Sequence, residues 1–367
     1  MIIPFISFDY QNNLFKKDLN KALNSFVDSK YYVLGKNVKE FEKKYSIYNE
    51  VKYSIGVSSG LDALIICLKA LNLGVNDEVI VASNAYIACW LAISNVGAKI
   101  VPVEPCNKTF NIDPSKIEKK ITNKTKAIMP VHLFGQPCHM NEIMKIAKKH
   151  NLYVIEDNAQ AHLSKFNNQY TGTFGIINAT SFYPTKNLGA LGEAGCVTTN
   201  DKDLGEFSKA YRNYGYTRKY ECKIEGRNFR IDEIQASILN VKIKYLNKLN
   251  QKRISLAKIY DDNLRSILNL KIPYKDPNCD HVYHLYVIRT NKRDELKKYL
   301  IKNGIETLIH YPIPPHLQLA YKYLGYKKGD FPIAEKISET SLSLPLYPGL
   351  RKEDVLYICD KISNFFS

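Results

Sequence analysis

What this sequence lacks narrows it first. Its eight cysteines stand apart, at 67, 89, 106, 138, 196, 222, 279 and 359, and no two form a Cys-x-x-Cys pair. That spacing argues against a zinc site and a disulfide framework, and fits a reducing cytoplasm. Cys138-His139 is the only adjacent Cys/His pair, and with no second pair it makes no metal site. There is no Gly-x-Gly-x-x-Gly and no Gly-x-x-x-x-Gly-Lys, so neither a dinucleotide turn nor a P-loop is supported. No basic residues precede the apolar Met1–Phe8, and Asp9 interrupts it, so it does not read as a signal peptide. Long hydrophobic runs are missing too. The most apolar stretch, 79–103, is broken by Asn84, Asn95 and Lys99 and reads as a buried β-α-β unit rather than a membrane span. There are no internal repeats and no low-complexity tracts. Acidic residues are in deficit, 36 against 52 lysines and arginines, for a net charge of +16. The lysines lie in pairs on polar helix faces (Lys16-Lys17, Lys43-Lys44, Lys148-Lys149), not in one block with interleaved aromatics. A solvated surface therefore fits better than a nucleic-acid groove, with attraction of a small anion as a minor share.

What is present describes a large α/β protein. At 367 residues the chain exceeds the usual size of a single core, which predicts one large and one small domain. After a strand-like Met1–Phe5, Leu14, Leu19 and Leu23 mark one helix, and Val38, Phe41 and Tyr45 a second. Strands are then expected at 54–57, 78–82, 99–103, 127–131, 153–155 and 179–183. Helices are expected from Leu61, around 86–95, at 114–121 and at 140–150. Such alternation, with continuously apolar strands, predicts a mostly parallel sheet covered by helices on both faces. Beyond residue 200 come a helix at 203–212, an irregular basic and aromatic stretch at 214–227, and one long helix at 231–264. Strands at 282–288 and 305–310 and helices at 294–302 and 351–366 complete a smaller α+β unit. The boundary is placed in the long helix, giving domains 1–245 and 246–367.

Ligands of parallel sheets bind beyond the carboxyl ends of the strands, and four such ends carry chemistry. Ser58-Ser59-Gly60-Leu61 is a small-residue turn opening a helix, where free N–H groups and the helix dipole suit a phosphate. Tyr86 begins another helix, placed either to cover a flat ring or to pack in the core. Glu156-Asp157 ends a buried strand, and alternation lets only one of the two carboxylates face a pocket. A buried aspartate needs a cation or hydrogen-bond donors; a protonated pyridine nitrogen or a structural ion pair would serve. The fourth end runs from Ser181 to Lys186, before a loop with Gly189, Gly192 and Gly195. Burial of Lys186 would lower its pKa, as an amine needs in order to form a Schiff base; a surface lysine is the alternative. An amine, a carboxylate, a ring cover and a phosphate cradle are together the parts that hold pyridoxal phosphate.

Several motifs in order, GVSSGLDAL, DEVIVASNAYIA, VIEDNAQAH, SFYPTKNLGALGEAG, GRNFRIDEIQA and LSLPLYP, resemble the DegT/DnrJ/EryC1/StrS family of nucleotide-sugar aminotransferases over nearly the whole chain. The resemblance implies the aspartate-aminotransferase fold and a cytoplasmic homodimer whose active sites are shared across the interface. It further implies that Lys186 carries the pyridoxal 5'-phosphate, Asp157 meets the ring nitrogen, Gln160 lies near the ring hydroxyl and Tyr86 lies against the ring. Ser59, Gly60, Leu61 and Ser181 would hold the phosphate, with Asn228 contributed across the interface. Leu61 departs from the family's usual threonine, and Asn158 from its alanine. KYECKIEGRNFRIDE and HYPIPPHLQLAYKYLGYKKGDFPIAEK look most like enzymes that aminate C3 of dTDP-linked 3-keto-6-deoxyhexoses, which would place Tyr183, Lys219, Tyr220, Arg230 and His310 near the substrate. The implied reaction passes the amino group of L-glutamate to that keto group, giving a Fuc3N- or Qui3N-type sugar for surface glycans such as lipopolysaccharide O-antigen. A C4 aminotransferase and a non-catalytic cofactor- or sugar-nucleotide-binding regulator are the alternatives. No nucleic acid, membrane or metal is expected.

Overall fold

The computed structural model describes residues 2–367; the sequence reading at Met1 lies outside them. Five-residue apolar runs make the central strands: β1 (Tyr53–Val57), β2 (Glu78–Ala82), β3 (Lys99–Val103), β4 (Thr125–Met129), the short β5 (Tyr153–Val154), β6 (Ile177–Ser181) and β7 (Gly195–Thr199). β3-β2-β4-β5 pair in parallel, while β6-β7-β1 pair antiparallel around β7. Asp157 joins the two sets, bridging Val131 on one side and Ala179 on the other, both in parallel. The result is the mostly parallel α/β sheet expected, with β7 as its one reversed strand. The parallel strands end on one edge, and the start of β7 returns to that same edge.

The strands are buried on both faces, which is why they read as apolar runs rather than as alternation. α3 (Gly60–Ala70), α4 (Ile87–Asn95) and α5 (Met140–Lys149) supply much of the cover. Elsewhere α2 (Lys36–Tyr48) packs Val38, Phe41 and Tyr45 against Phe182, Ile231 and Leu239. α1 (Asp9–Ser29) seats Phe15 and Leu19 on Ile238, Val241 and Leu249. A second core gathers Ile3 with side chains between Leu256 and Ile362. There β8 (Tyr286–Arg289) pairs antiparallel with β9 (Ser341–Leu344).

Three expected elements differ. The helix read as continuous over 231–264 is two helices, Glu233–Lys242 and Leu246–Leu264, joined by a 3-10 turn at Ile243–Tyr245. Ile243 is fully buried in that turn, so the apolar pattern runs through the break and hides it. The stretch 114–121 forms two 3-10 turns, not an α-helix. In place of a strand at 305–310 there are single bridges, Ile305 to Ile3 and Leu308 to Ser343.

Candidate active site

The strand ends converge on a cavity of about 560 Å³, within the size range of ligand sites. Ser59, Gly60, Leu61, Tyr86, Asp157, Ser181, Tyr183, Lys186 and His310 all line it. Nine residues picked from the sequence thus meet in one cavity, eight from the sheet edge and His310 from the chain beside β9.

At the phosphate turn, Ser59 caps α3: its hydroxyl accepts from the Asp62 N–H at 3.1 Å and donates to the Asp62 carboxylate at 2.9 Å. The Ser58 hydroxyl donates to the same carboxylate oxygen at 2.5 Å, turning Asp62 back onto the turn. The first N–H groups of α3 have no acceptor within the helix and open toward the cavity end. Glycine is required at two points here. A Cβ on Gly60 would stand 2.6 Å from Ser181 Cβ, and one on Gly195 would stand 2.2 Å from the Ser59 carbonyl oxygen.

The two carboxylates of the third strand end separate as alternation demands. Glu156 points away from the cavity, where His132 Nε2 (2.9 Å) and the N–H groups of Gly172 (2.6 Å), Phe174 (2.7 Å) and Gly175 (2.7 Å) surround it. Asp157 lines the cavity. Its Oδ1 accepts from the Ala159 N–H at 3.0 Å and its Oδ2 from the Cys89 thiol at 3.0 Å. No Lys, Arg or His forms an ion pair with it among the described residues.

Lys186 follows β6 across the cavity. Burial pushes its ammonium down to about 8, with Asp157 and Cys89 pulling weakly the other way. At neutral pH roughly a tenth of such an amine is free, against well under a hundredth for an ordinary lysine. Three imidazoles surround it, all held neutral chiefly by burial: His162 down to about 3, His310 down to about 4, and His284 well below its usual range. The charge of Lys186 adds to each of those shifts.

The residues present fit pyridoxal phosphate. Asp157 is a buried carboxylate with one donor per oxygen and no cation, as a ring-nitrogen partner requires. Gly60 leaves open a space against Ser181 that any side chain would fill. Lys186 is an amine that burial keeps partly unprotonated.

Five expected site residues lie outside this cavity. Gln160 is buried behind it, with Oε1 accepting from the Phe134 N–H at 2.6 Å and Nε2 donating to the Tyr311 hydroxyl at 3.2 Å. Lys219, Tyr220, Asn228 and Arg230 sit in and beside a hairpin of Tyr216–Arg218 and Glu221–Cys222. Lys219, Tyr220 and Asn228 are exposed, and Arg230 stacks over Tyr214 and donates to Asn213 at 3.2 Å. Asn158, the other departure noted, accepts from the Thr171 hydroxyl at 2.6 Å and secures the turn that holds Glu156.

Sequence reasoning missed Cys89, Thr185, Glu193, His284 and Tyr311. Cys89 sits three residues after Tyr86, buried in the first turn of α4. His284 and Tyr311 reach the cavity from segments next to the second core, and nothing local in the sequence points them inward. Tyr311 lies against Tyr86 at 5.1 Å between ring centres.

The DegT/DnrJ/EryC1/StrS aminotransferase family model matches residues 13–363. A dTDP-3-amino-3,6-dideoxy-alpha-D-galactopyranose transaminase of Aneurinibacillus thermoaerophilus is 46% identical over 364 residues, covering 99% of this chain and 99% of its own. Among solved structures, S. venezuelae DesV in complex with a ketimine intermediate has a TM-score of 0.98 at 39% identity, over 100% of this chain and 99% of that one. NtdA of Bacillus subtilis with bound cofactor PMP has a TM-score of 0.89 at 31% identity, over 98% of this chain and 85% of that one. The chain belongs to the DegT/DnrJ/EryC1/StrS aminotransferase family and is a pyridoxal-phosphate-dependent sugar aminotransferase.

Proposed function

We propose that the protein transfers the amino group of L-glutamate to the C3 keto group of a dTDP-linked 3-keto-6-deoxyhexose, giving a dTDP-3-amino-3,6-dideoxyhexose for a surface glycan. The observation that carries this reading is the pairing of Lys186 with Asp157 in one cavity, in a chain close to an enzyme named for a dTDP-3-amino-3,6-dideoxyhexose. Pyridoxal phosphate, when bound, supplies the sink for the electron pair left on the substrate carbon. Lys186 would hold it covalently, Asp157 would meet the ring nitrogen, and Tyr86 would lie against the ring. Ser59, Gly60, Leu61 and Ser181 would hold the phosphate.

In the reaction itself the Lys186 amine, once freed by the incoming donor, would take the proton from the carbon of the amino donor onto Nζ in the first half-reaction and deliver one to C3 of the sugar in the second, a task for an amine poised near neutrality. Tyr183 and His310 face the substrate from the same subunit, and the tyrosines lining the cavity limit water. Gln160 acts by holding the Tyr311 hydroxyl in place.

A homodimer accounts for the residues that the cavity lacks. Asn228, Lys219, Tyr220 and Arg230 lie at the surface of their own subunit, and Tyr31, Tyr32 and Val33 form a further exposed apolar patch. In a dimer with shared sites, Asn228 would complete the phosphate cradle of the partner and the hairpin would cover its substrate. We also place the boundary between domains 1–245 and 246–367 at the Ile243–Tyr245 turn. All eight cysteines are free, which suits a reducing cytoplasm, and among the described residues no helix is long and apolar enough to cross a membrane.

The test is turnover by the purified protein with L-glutamate and dTDP-3-keto-6-deoxyglucose or its C4 epimer, with the 4-keto sugar as control. Mass spectrometry and NMR identify the product. Amination of a 3-keto sugar is expected. Turnover of only the 4-keto sugar would make the enzyme a C4 aminotransferase, and amination with no 2-oxoglutarate formed would overturn L-glutamate as the donor.

A further inference from the structure

The two oxygens of Asp157 differ in what they meet. Oδ1 is held by a backbone N–H two residues on, a bond that the strand end makes with itself. Oδ2 is met by a side chain from another element, the Cys89 thiol of α4, at 3.0 Å. A carboxylate only accepts, so the thiol proton must lie on this line. Burial, reinforced by the Asp157 charge, holds the thiol far above its usual range, so it stays protonated and remains a donor at every working pH. Cys89 itself is fully buried, and its thiol donates to Asp157.

Its place on the helix matters as well. Tyr86 is the N-cap residue of α4 and Cys89 lies in its first turn. One helical turn thus presents an aromatic cover to the cavity and a thiol to the carboxylate beneath it. Lys186, Tyr311 and the Cys67 thiol of α3 are the other titratable groups that feel the Asp157 charge.

We infer that Cys89 is a positioning residue for Asp157: its thiol fixes the plane of the carboxylate and shares its charge, which sets how strongly Asp157 holds a protonated ring nitrogen. This rests on the assignment of Asp157 to that nitrogen. A hydrogen bond to an ionised acceptor is stronger than a neutral one, so its loss concentrates negative charge on Oδ2. A cation in the cavity is then held more tightly.

The experiment compares the wild type with Cys89→Ala, Cys89→Ser and Asp157→Asn, each loaded with pyridoxal phosphate. Two signals are read: the pH midpoint of the visible band of the lysine-bound cofactor, and the infrared S–H stretch assigned by its loss in Cys89→Ala. Cys89→Ala is expected to raise the midpoint by roughly half a pH unit, and Cys89→Ser to restore it, since serine keeps the donor. If Cys89 only fills space, the smaller and more polar serine does no better than alanine, and the inference fails. Asp157→Asn is expected to move the S–H stretch toward that of a free thiol. An unchanged midpoint in Cys89→Ala alongside an altered one in Asp157→Asn overturns the role of Cys89 and leaves Asp157 standing. A spectrum indifferent to Asp157→Asn overturns both.

Discussion

Buried charges occur in two settings in this protein, sealed and open. Glu156 and Asp157 are neighbours in sequence, yet four donors close around the first while the second keeps an unfilled side toward the cavity. The lysines repeat the contrast. Burial pushes Lys186 and Lys242 alike down to about 8. Lys242, however, donates to the Gly189 carbonyl at 2.8 Å, inside the structure, whereas Lys186 lines the cavity. A depressed lysine or a buried carboxylate is therefore no mark of chemistry by itself. What separates the pairs is an open coordination position facing a space that a ligand can enter.

The largest effect separates the lysines. Lys186→Ala is expected to lose turnover by about 10⁴-fold or more, together with the visible absorbance of bound cofactor. Lys242→Met is expected to keep both within about twofold, because it touches no reacting atom. Retained turnover in Lys186→Ala would erase the contrast.

The carboxylates come next. Asp157→Asn is expected to keep bound cofactor but lose roughly 10²- to 10³-fold in kcat, the scale for removing one electrostatic partner. An unchanged rate would class Asp157 with the sealed charges. Glu156→Gln should do the opposite, lowering stability by about 3 kcal/mol because an amide nitrogen then meets N–H donors. Thermal unfolding alongside turnover per folded molecule checks this. A large loss of rate without loss of stability would show that Glu156 belongs to the open group.

The gentlest test is pH. His162 and His281 are pushed down to about 3 and His310 down to about 4, mainly by burial, and His284 also lies well below its ordinary value. An unfolded chain takes up protons on these side chains below about pH 6.5 while the folded one does not. Stability is then full above that pH and falls as pH drops toward the folded values. A Tm flat from pH 6.5 to 5 would mean that these imidazoles are charged in the folded protein.

The sequence revealed the open group more readily than the sealed one. Lys186, Asp157, Ser59 and Tyr86 stand at the ends of strands whose apolar runs announce them, so the sheet edge collects what the pattern marks. Alternation alone left open which of Glu156 and Asp157 faces the cavity; the resemblance implied Asp157, and the bridges of Asp157 to Val131 and Ala179 set that register. Cys89 was obscured because a cysteine in an apolar helix looks like filler. His284 and Tyr311 come from remote segments, and their direction depends on tertiary packing. The break at Ile243–Tyr245 escaped because a 3-10 turn with a buried isoleucine preserves the apolar period. Lys219, Tyr220 and Asn228 carry no packing signal in one subunit, since they lie at its surface.

The bridge between Ile3 and Ile305 has a consequence for synthesis. The Ile3 N–H donates to the Gly304 carbonyl at 2.7 Å, and the Glu306 N–H donates to the Ile3 carbonyl at 3.0 Å. A ribosome makes about 5–20 residues per second, so Ile3 waits on the order of tens of seconds for Ile305 to be made. Through that interval the exposed Ile2 and the later-buried Ile3 remain unpaired apolar backbone. The second core closes over a residue made about 300 positions earlier, so it cannot be completed from contiguous chain.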